Sequence, residues 1–266
     1  MNVYFTKENK ALLAELVRTD FKLRYQGSVL GYVWSLLRPL LLFVILYVVF
    51  VKFLKIGNEV PHYPIYLLLG IVMWNFFNEM TLQSTTAIVG RGDLIRKIRI
   101  PRWMIIFSTS IAALINLGLN LLVVAIFMII NKVGITDLTP IIFLVLAELY
   151  FFSLGISFFL SALYVKFRDV SYIWEVIIQA GFYLTPIIYP LSRIHNLTLK
   201  KLILLNPVAQ TMQDARYTVV THQTITISHI FRGGYYRYVP FLIVILVLVF
   251  GLLYFKKEAK YFAENI

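Results

Sequence analysis

The sequence predicts an all-α integral membrane protein. It should have six transmembrane helices, an N-terminal amphipathic interface helix, and short external helices between spans 5 and 6. Three observations predict this. First, the 266 residues are 60% hydrophobic and 14% charged, with a mean hydropathy of +0.79, whereas a soluble domain is about half apolar and about a quarter charged. Second, apolar runs recur that are long enough to supply the roughly 20 helical residues needed to cross ~30 Å of hydrocarbon. Third, the basic residues behind a formal charge of +12 collect in the gaps between those runs. That placement is the one loop topology requires, and no nucleic-acid partner is expected.

The elements follow in order. Residues 9–25 carry Leu12, Leu13, Leu16, Val17 and Phe21 on one helical face, with Glu15, Arg18, Thr19 and Lys22 opposite. Asp20 and Arg24 form a favourable i, i+4 pair. This helix is too short and too charged to cross, so it should lie in the membrane interface. The spans are expected at residues 36–53, 63–87, 105–130, 140–165, 172–189 and 238–255. Residues 190–237 form the one long external segment; its short apolar stretches suit half-buried or re-entrant helices capping the external mouth, with a solvated loop as the alternative. The whole chain, 1–266, reads as a single transmembrane domain: interface segment 1–35, spans 1–5 within 36–189, an external gate loop, span 6, and a tail at 256–266. The first 38 residues lack the apolar core and cleavage site of a signal peptide, so insertion through the first span is expected.

An even number of spans puts both termini on one side. That side holds sixteen of the 25 basic residues and the other side nine, most of them in the 190–237 segment. The bias places both termini in the cytoplasm. It places GRGDLIRKIRIPRW, residues 90–103, there too. This segment packs Arg91, Arg96, Lys97, Arg99 and Arg102 between two spans and cannot lie in a bilayer. From its charge alone it is either an ordinary positive-inside loop or the place where the protein receives a mechanical input.

Enzymatic signatures are lacking. There is no cysteine, so no disulfide, thiolate nucleophile or thiolate-held metal. No G-x-x-x-x-G-K-[ST], G-x-S-x-G or H-E-x-x-H occurs. Gly90 and Gly92 lack the third glycine and the strand of a phosphate loop. His62, His195, His222 and His229 stand singly, without ligand spacing. The informative residues are polar ones inside spans, where burial costs several kcal/mol without partners. Asn75, Glu79 and Gln83 recur every four residues on span 2, joined by Asn78 and Thr86. Ser108, Ala112, Asn116 and Asn120 do so on span 3. These stripes read as a wet cavity or as helix–helix hydrogen bonds. On span 4, Ser153, Ser157 and Ser161 with Gly155 read as close packing, with Glu148 a turn or so before them. Aromatic residues within spans combine apolar area with a π face. Tyr47, Phe50, Trp74, Phe77 and Tyr183, together with Glu79, are the pore-lining candidates; core or lipid-facing packing is the alternative for each aromatic.

Five stretches, in order over nearly the whole chain, carry a resemblance. RYQGSVLGYVWSLLRPLL (24–41) looks like a first-span entry and LIRKIRIPRW (94–103) like a first cytoplasmic loop. YVKFRDV (164–170), LTPIIYP (184–190) and LNPVAQ (205–210) look like a second loop, a fifth-span end and an external-loop segment. Together they resemble the membrane subunits of type-2 ABC exporters that move polysaccharide, O-antigen and teichoic acid across the bacterial inner membrane. The resemblance implies a homodimeric pore driven by two copies of a separate ABC ATPase, with ATP and Mg on that partner and no cofactor in this chain. It implies a lipid-linked glycan as cargo. It assigns ATPase coupling to Arg91, Asp93, Arg96, Lys97 and Arg99, with Arg168 and Asp169 of the second loop adding contacts.

Three other readings stand beside it: an exporter of the same class for a lipid or drug, an ion-coupled secondary transporter, or a membrane enzyme on a polyprenyl-linked sugar. A secondary transporter should show paired helix interruptions around a midplane ion site; Pro186 is a single interruption. An enzyme should show catalytic pairs at the surface, where Asp169 beside Arg168 is the one candidate.

Overall fold

The computed structural model describes residues 7–24, 28, 30–57, 59–97, 100–134, 136–231 and 234–262; the side chains of residues 7–10, 21, 23, 24 and 32 lie outside the description. Eleven α-helices run in order, with no strand among the described residues. They are α1 (Lys7–Arg24), α2 (Trp34–Leu46), α3 (Tyr63–Ala87), α4 (Gly92–Lys97), α5 (Trp103–Ile130) and α6 (Ile142–Lys166). Then come α7 (Val170–Leu184), α8 (Leu197–Leu205), α9 (Pro207–Val219), α10 (Ile227–Ile230) and α11 (Val239–Glu258). Helix α2 continues as a wider-wound π segment over Tyr47–Phe53. Among the described residues, five helical segments are long and apolar enough to cross a membrane: Trp34–Phe53, Tyr63–Ala87, Trp103–Ile130, Thr139–Lys166 and Tyr235–Tyr261.

The fifth span differs from expectation. Residues 172–189 were expected as one helix, but α7 stops at Leu184. Its 15 residues rise only about 22 Å, short of ~30 Å of hydrocarbon. The cause is Pro186. A proline disfavours helical backbone in the residue before it, and Thr185 turns extended at φ −85° and ψ 139°. Thr185–Tyr189 leaves as a turn.

Helix α3 is the centre of the bundle: 78% of its apolar window is buried, against 22% for the last span and 17% for the first. Its polar stripe is the exception: Asn75, Asn78, Glu79 and Gln83 are half-buried and Thr86 is exposed. Helix α6 lies on one side of it, where Ser157 Oγ donates to the Met80 carbonyl at 3.4 Å and the serine stripe is fully buried. The opposite side of α6 meets α11 at two glycines. A Cβ on Gly155 would sit 2.7 Å from the Leu248 backbone, and one on Gly251 would collide with the Gly155 carbonyl oxygen. The two backbones touch there, so the packing reading of this stripe extends to α11 through Gly155. Edge-on rings of Phe158 and Phe255, 5.0 Å apart, close the contact.

At one end of the bundle lie both described chain ends. Leu12, Leu13 and Leu16 of α1 pack on Leu94, Ile100, Trp103 and Met104, so much of the apolar stripe expected to face lipid meets the entry of α5. Phe21 and the expected Asp20–Arg24 pair involve side chains outside the described residues. Arg102 donates to the Ala259 carbonyl, tying the end of α11 to the start of α5. At the opposite end the expected capping helices form. Asn196 and Asn206 cap α8 and α9 by accepting from Thr198 N at 2.8 Å and Val208 N at 3.0 Å, and Pro207 starts α9 where its missing N–H does no harm.

Gly251→Ala is expected to lower the melting temperature in detergent, by an amount corresponding to about 1–3 kcal/mol, because two helix backbones must separate to admit one methyl group.

Candidate functional site

The end that carries α1 and α4 presents a charged face. In α4 the inward residues Leu94 and Ile95 pack against the bundle, which turns Asp93, Arg96 and Lys97 outward at i, i+3 and i+4, all exposed. Arg99 lies outside the described residues. Arg91 sits differently from its neighbours. It forms an ion pair with Asp20 of α1, and its Nη1 also lies 3.5 Å from the Ile105 carbonyl and from Ser108 Oγ. Ser108 in turn donates to Asp20 at 2.9 Å. Burial pushes the Arg91 pKa down to about 10, so it stays charged at neutral pH. Arg91 therefore fastens α1 to the start of α5 and is not itself presented outward. Between α6 and α7, Arg168 and Asp169 are exposed, and the Arg168 guanidinium stands 5.3 Å from the Tyr164 ring.

At the other end a fully buried arginine organises the capping helices. Arg216 of α9 donates from Nε to the Tyr66 carbonyl (3.0 Å), from Nη1 to the Pro186 carbonyl (2.6 Å) and Gln213 Oε1 (3.1 Å), and from Nη2 to the Ile187 carbonyl (2.9 Å). Its guanidinium lies 3.6 Å over the Tyr66 ring, and Gly70 leaves the room it occupies. The Tyr66 hydroxyl donates to Gln213 at 3.0 Å, and the Tyr63 hydroxyl to the Ile188 carbonyl. The carbonyls freed by the turn after α7 thus end on Arg216 and Tyr63. Sequence reasoning counted Arg216 among basic loop residues; its role left no local signal except Pro186, whose turn frees carbonyls that some donor must satisfy. Beside it, Gln210 donates from Nε2 to Asp214 at 2.6 Å and to Glu148 of α6 at 3.4 Å. Burial raises the Asp214 pKa to about 6, against the lowering effect of that hydrogen bond.

Between these ends lies a polar cavity of about 540 Å³ among α2, α3 and α5, lined by Arg38, Asn75, Asn78, Glu79, Gln83 and Asn116 among others. The stripes on spans 2 and 3 meet here: Asn116 Nδ2 donates to Glu79 Oε1 at 2.7 Å, and Asn120 Nδ2 to the Ser35 carbonyl at 3.3 Å. Both expectations, hydrogen bonds and a cavity, are realised in one place.

The pore-lining candidates are dispersed. Tyr47 and Phe50 are half-buried on the first span. Trp74 and Phe77 are each 5% exposed, packed among Phe152, Trp174 and Phe182 as core side chains of this chain. Glu79 lines the cavity. Tyr183 is 69% exposed on the outer face of α7. Tyr172, Glu175 and Gln179 share that exposure, three- and four-residue steps apart, and were not singled out from the sequence.

Residues 11–220 match the model of the ABC-2 type transporter family. The chain belongs to that family. Among the relatives of this ABC-2 transporter chain is the O-antigen export system permease protein RfbA of Myxococcus xanthus, 30% identical over 219 residues, which cover 80% of this chain and 82% of that one. Two proteins of Klebsiella pneumoniae with the same name are 27% identical over 260 and 259 residues, covering 95% of this chain and 94% of each. The ABC-2 chain is thus a multi-pass membrane protein and a transport subunit, and membership implies partnership with a separate ABC ATPase.

Arg216→Leu should strip the Tyr66, Pro186 and Ile187 carbonyls of their donor and lower stability by about 3 kcal/mol or more, since each orphaned buried group costs about 1–3 kcal/mol. Arg216→Lys should rescue this only partly, lacking the planar fork. Thermal unfolding and proteolysis of residues 190–231 measure both. For Asp214 the folded-state pKa is raised, so folding takes up a proton and the penalty for the charged form is fully present above about 6. Local stability of α9 is expected to fall as pH rises from 3.8 to about 6 and then level off. Hydrogen exchange of α9 amides should show this slope, and Asp214→Asn should flatten it.

Proposed function

We propose that this chain forms, as a homodimer, the transmembrane channel of an ATP-driven exporter that moves a lipid-linked polysaccharide out of the cytoplasm. On this reading it resides in the bacterial inner membrane with both termini cytoplasmic, and two copies of an ABC ATPase bind beneath it. The observation that carries the reading is the outward face of α4. A six-residue helix with Asp93, Arg96 and Lys97 exposed is braced from behind by α1, in a family whose partner ATPase must move it.

The assignment of roles follows from placement. Asp93, Arg96 and Lys97 make the ATPase contacts, with Arg99 as a further candidate outside the described residues. Arg91 acts through position: its pair with Asp20 makes α1, α4 and the entry of α5 move together. Arg168 and Asp169 offer a second exposed contact on the next connection. ATP and Mg belong to the partner. A chain without a nucleotide site responds only to a partner whose states bind it differently.

Polysaccharide cargo is supported by the names of three relatives, O-antigen export system permeases. It is supported also by Glu175 and Gln179 on the exposed face of α7 between Tyr172 and Tyr183. Polar residues of a short span require water or protein rather than lipid. A dimer that turns these faces toward one another would enclose a wet corridor with tyrosines along it. Tyr47, Phe50, Glu79 and Tyr183 remain the pore candidates nearest to open space, whereas Trp74 and Phe77 would reach it only if α7 moved away from α3.

Reversing charge in the double variant R96E/K97E tests the coupling role. Transport and transport-linked ATP hydrolysis should fall at least about tenfold, as loss of about 1.4 kcal/mol or more of docking energy requires, while membrane insertion and dimer yield stay at the wild-type level. Loss of the folded dimer instead would return α4 to a purely topological part.

A further inference from the structure

The groove between the start of α5 and the end of α11 has a make-up that neither coupling nor gating uses. The two helices flank Phe158 of α6. The Phe107 ring stands 5.9 Å from it on one side and the Phe255 ring 5.0 Å from it on the other. At the chain-end side of the bundle, the bond from Arg102 to the Ala259 carbonyl joins them. A cavity of about 720 Å³ lies between, within the ~300–1,000 Å³ of pockets that take small molecules. Phe158 and Phe255 are buried behind it. The surfaces an occupant can touch are Trp103 and Phe107, both half-buried, and Leu252 and Leu253, which are 40% and 63% exposed.

Lys256, exposed, and Arg102, half-buried, line the same groove. Nη1 of Arg102 serves Ala259, and neither its other N–H groups nor the Lys256 ammonium meets a carboxylate among the described residues. Asp93 and Glu258, the acids nearest along the described chain, are not among the lining residues. Leu252 and Leu253 come four and three residues before Lys256, roughly 5–6 Å away along α11 at 1.5 Å per residue. Two cations thus stand at one end of an apolar wall that opens sideways to lipid.

An apolar wall alone is covered by any acyl chain, and basic residues alone draw any anion to the surface. Joined, they fit a lipid with an anionic headgroup, and basic pockets between spans take such headgroups. A zwitterionic headgroup brings an ammonium for which the groove holds no acid. The lipid-linked cargo is a poorer match, because the remaining wall, Ile95, Ile100 and Pro101, offers sugars no side-chain hydrogen-bonding group.

We infer that this groove is a binding site for an anionic phospholipid, whose phosphate pairs with Lys256 and Arg102 while an acyl chain lies along Trp103, Phe107, Leu252 and Leu253. Ile95 belongs to α4, so a bound lipid also bridges the outward charged helix and α11. The inference needs only a multi-pass membrane protein and stands apart from the reading of the cargo.

Phosphatidylglycerol is the probe. The full-length protein is purified with its ATPase and held in mixed micelles containing phosphatidylcholine. Phosphatidylglycerol or phosphatidylcholine with brominated acyl chains is then titrated in. Bromine quenches tryptophan fluorescence at contact range, and Trp103 lines the groove. Half-maximal quenching should need at least about fivefold less of the brominated phosphatidylglycerol, the selectivity that a basic residue near an anionic lipid supplies. Trp103→Phe should remove this preference although Trp34, Trp74 and Trp174 remain. Lys256→Gln should lower it severalfold. Lys257→Gln removes an equal charge one residue away and outside the groove, and should leave it unchanged. Both lysines are exposed, so neither change threatens folding.

No preference for phosphatidylglycerol, or a preference that survives Trp103→Phe, overturns the assignment. Equal losses in Lys256→Gln and Lys257→Gln also overturn it and mark a diffuse basic surface instead. A preference shown by the chain alone but lost with the ATPase bound gives the face to the ATPase. Displacement of the brominated lipid by the lipid-linked glycan fraction, at a lower molar amount than by unbrominated phosphatidylglycerol, gives it to the cargo. Either result likewise rejects the phospholipid site.

Discussion

A buried guanidinium holds the capping-helix end of this protein together. Where α7 stops short at Leu184, the chain must turn within or close to the membrane, and backbone carbonyls there have no water to bind. Arg216 meets that need for Pro186 and Ile187 and, through the Tyr66 carbonyl and ring, binds the same turn to the first part of α3. One side chain thus joins three segments: the end of α7, the start of α3 and helix α9. Arginine suits this position because its fork presents several N–H groups in fixed directions. Gly70 is the matching concession on α3, since a Cβ there would occupy the place of the guanidinium.

The opposite end uses a charged pair for a similar purpose. Asp20 receives Arg91 and Ser108, so the amphipathic helix is attached at its polar edge as well as by Leu12, Leu13 and Leu16. Helix α3 runs between the two anchors. It is 25 residues long, about 37 Å at 1.5 Å per residue, and buried on most sides. Its first turns are held by the Arg216 network, and its last turn leads within four residues to Arg91. The two ends of the protein are therefore mechanically continuous through one packed helix, which is the condition for a displacement at α4 to be felt at the capping helices.

Much of the fold was legible because hydrophobic runs of span length have few other uses. The span expected at 63–87 coincides with α3, and those on either side agree within a few residues. The polar stripes were also legible. Four-residue spacing of Asn75, Glu79 and Gln83 places them on one helical face, and burial in an apolar span demands partners. What periodicity leaves open is which helix supplies the partner. Asn116 meeting Glu79, or Gly155 meeting Gly251, joins residues far apart in the chain, and no local pattern encodes the pairing. The fifth span was misjudged at its end because apolar composition continues through Ile187 and Ile188 while Pro186 has already ended the helix. Trp74 and Phe77 looked like corridor residues from their chemistry, yet α7 covers them.

By itself the sequence determined the class, the number of apolar segments, the amphipathic N-terminal helix and the short charged element between spans 2 and 3. These depend on composition, periodicity and the distance across a bilayer, which are properties of the chain read locally. The tertiary structure alone decided that Arg91 faces inward to Asp20 while Arg96 and Lys97 face outward, and that Arg216 is a buried clamp rather than a loop charge. It alone decided that two polar stripes close on a common cavity. The physical reason is the same in each case. A charge or amide is cheap in water and expensive in the interior, so its role follows from the groups that surround it after folding, and those groups come from distant parts of the chain.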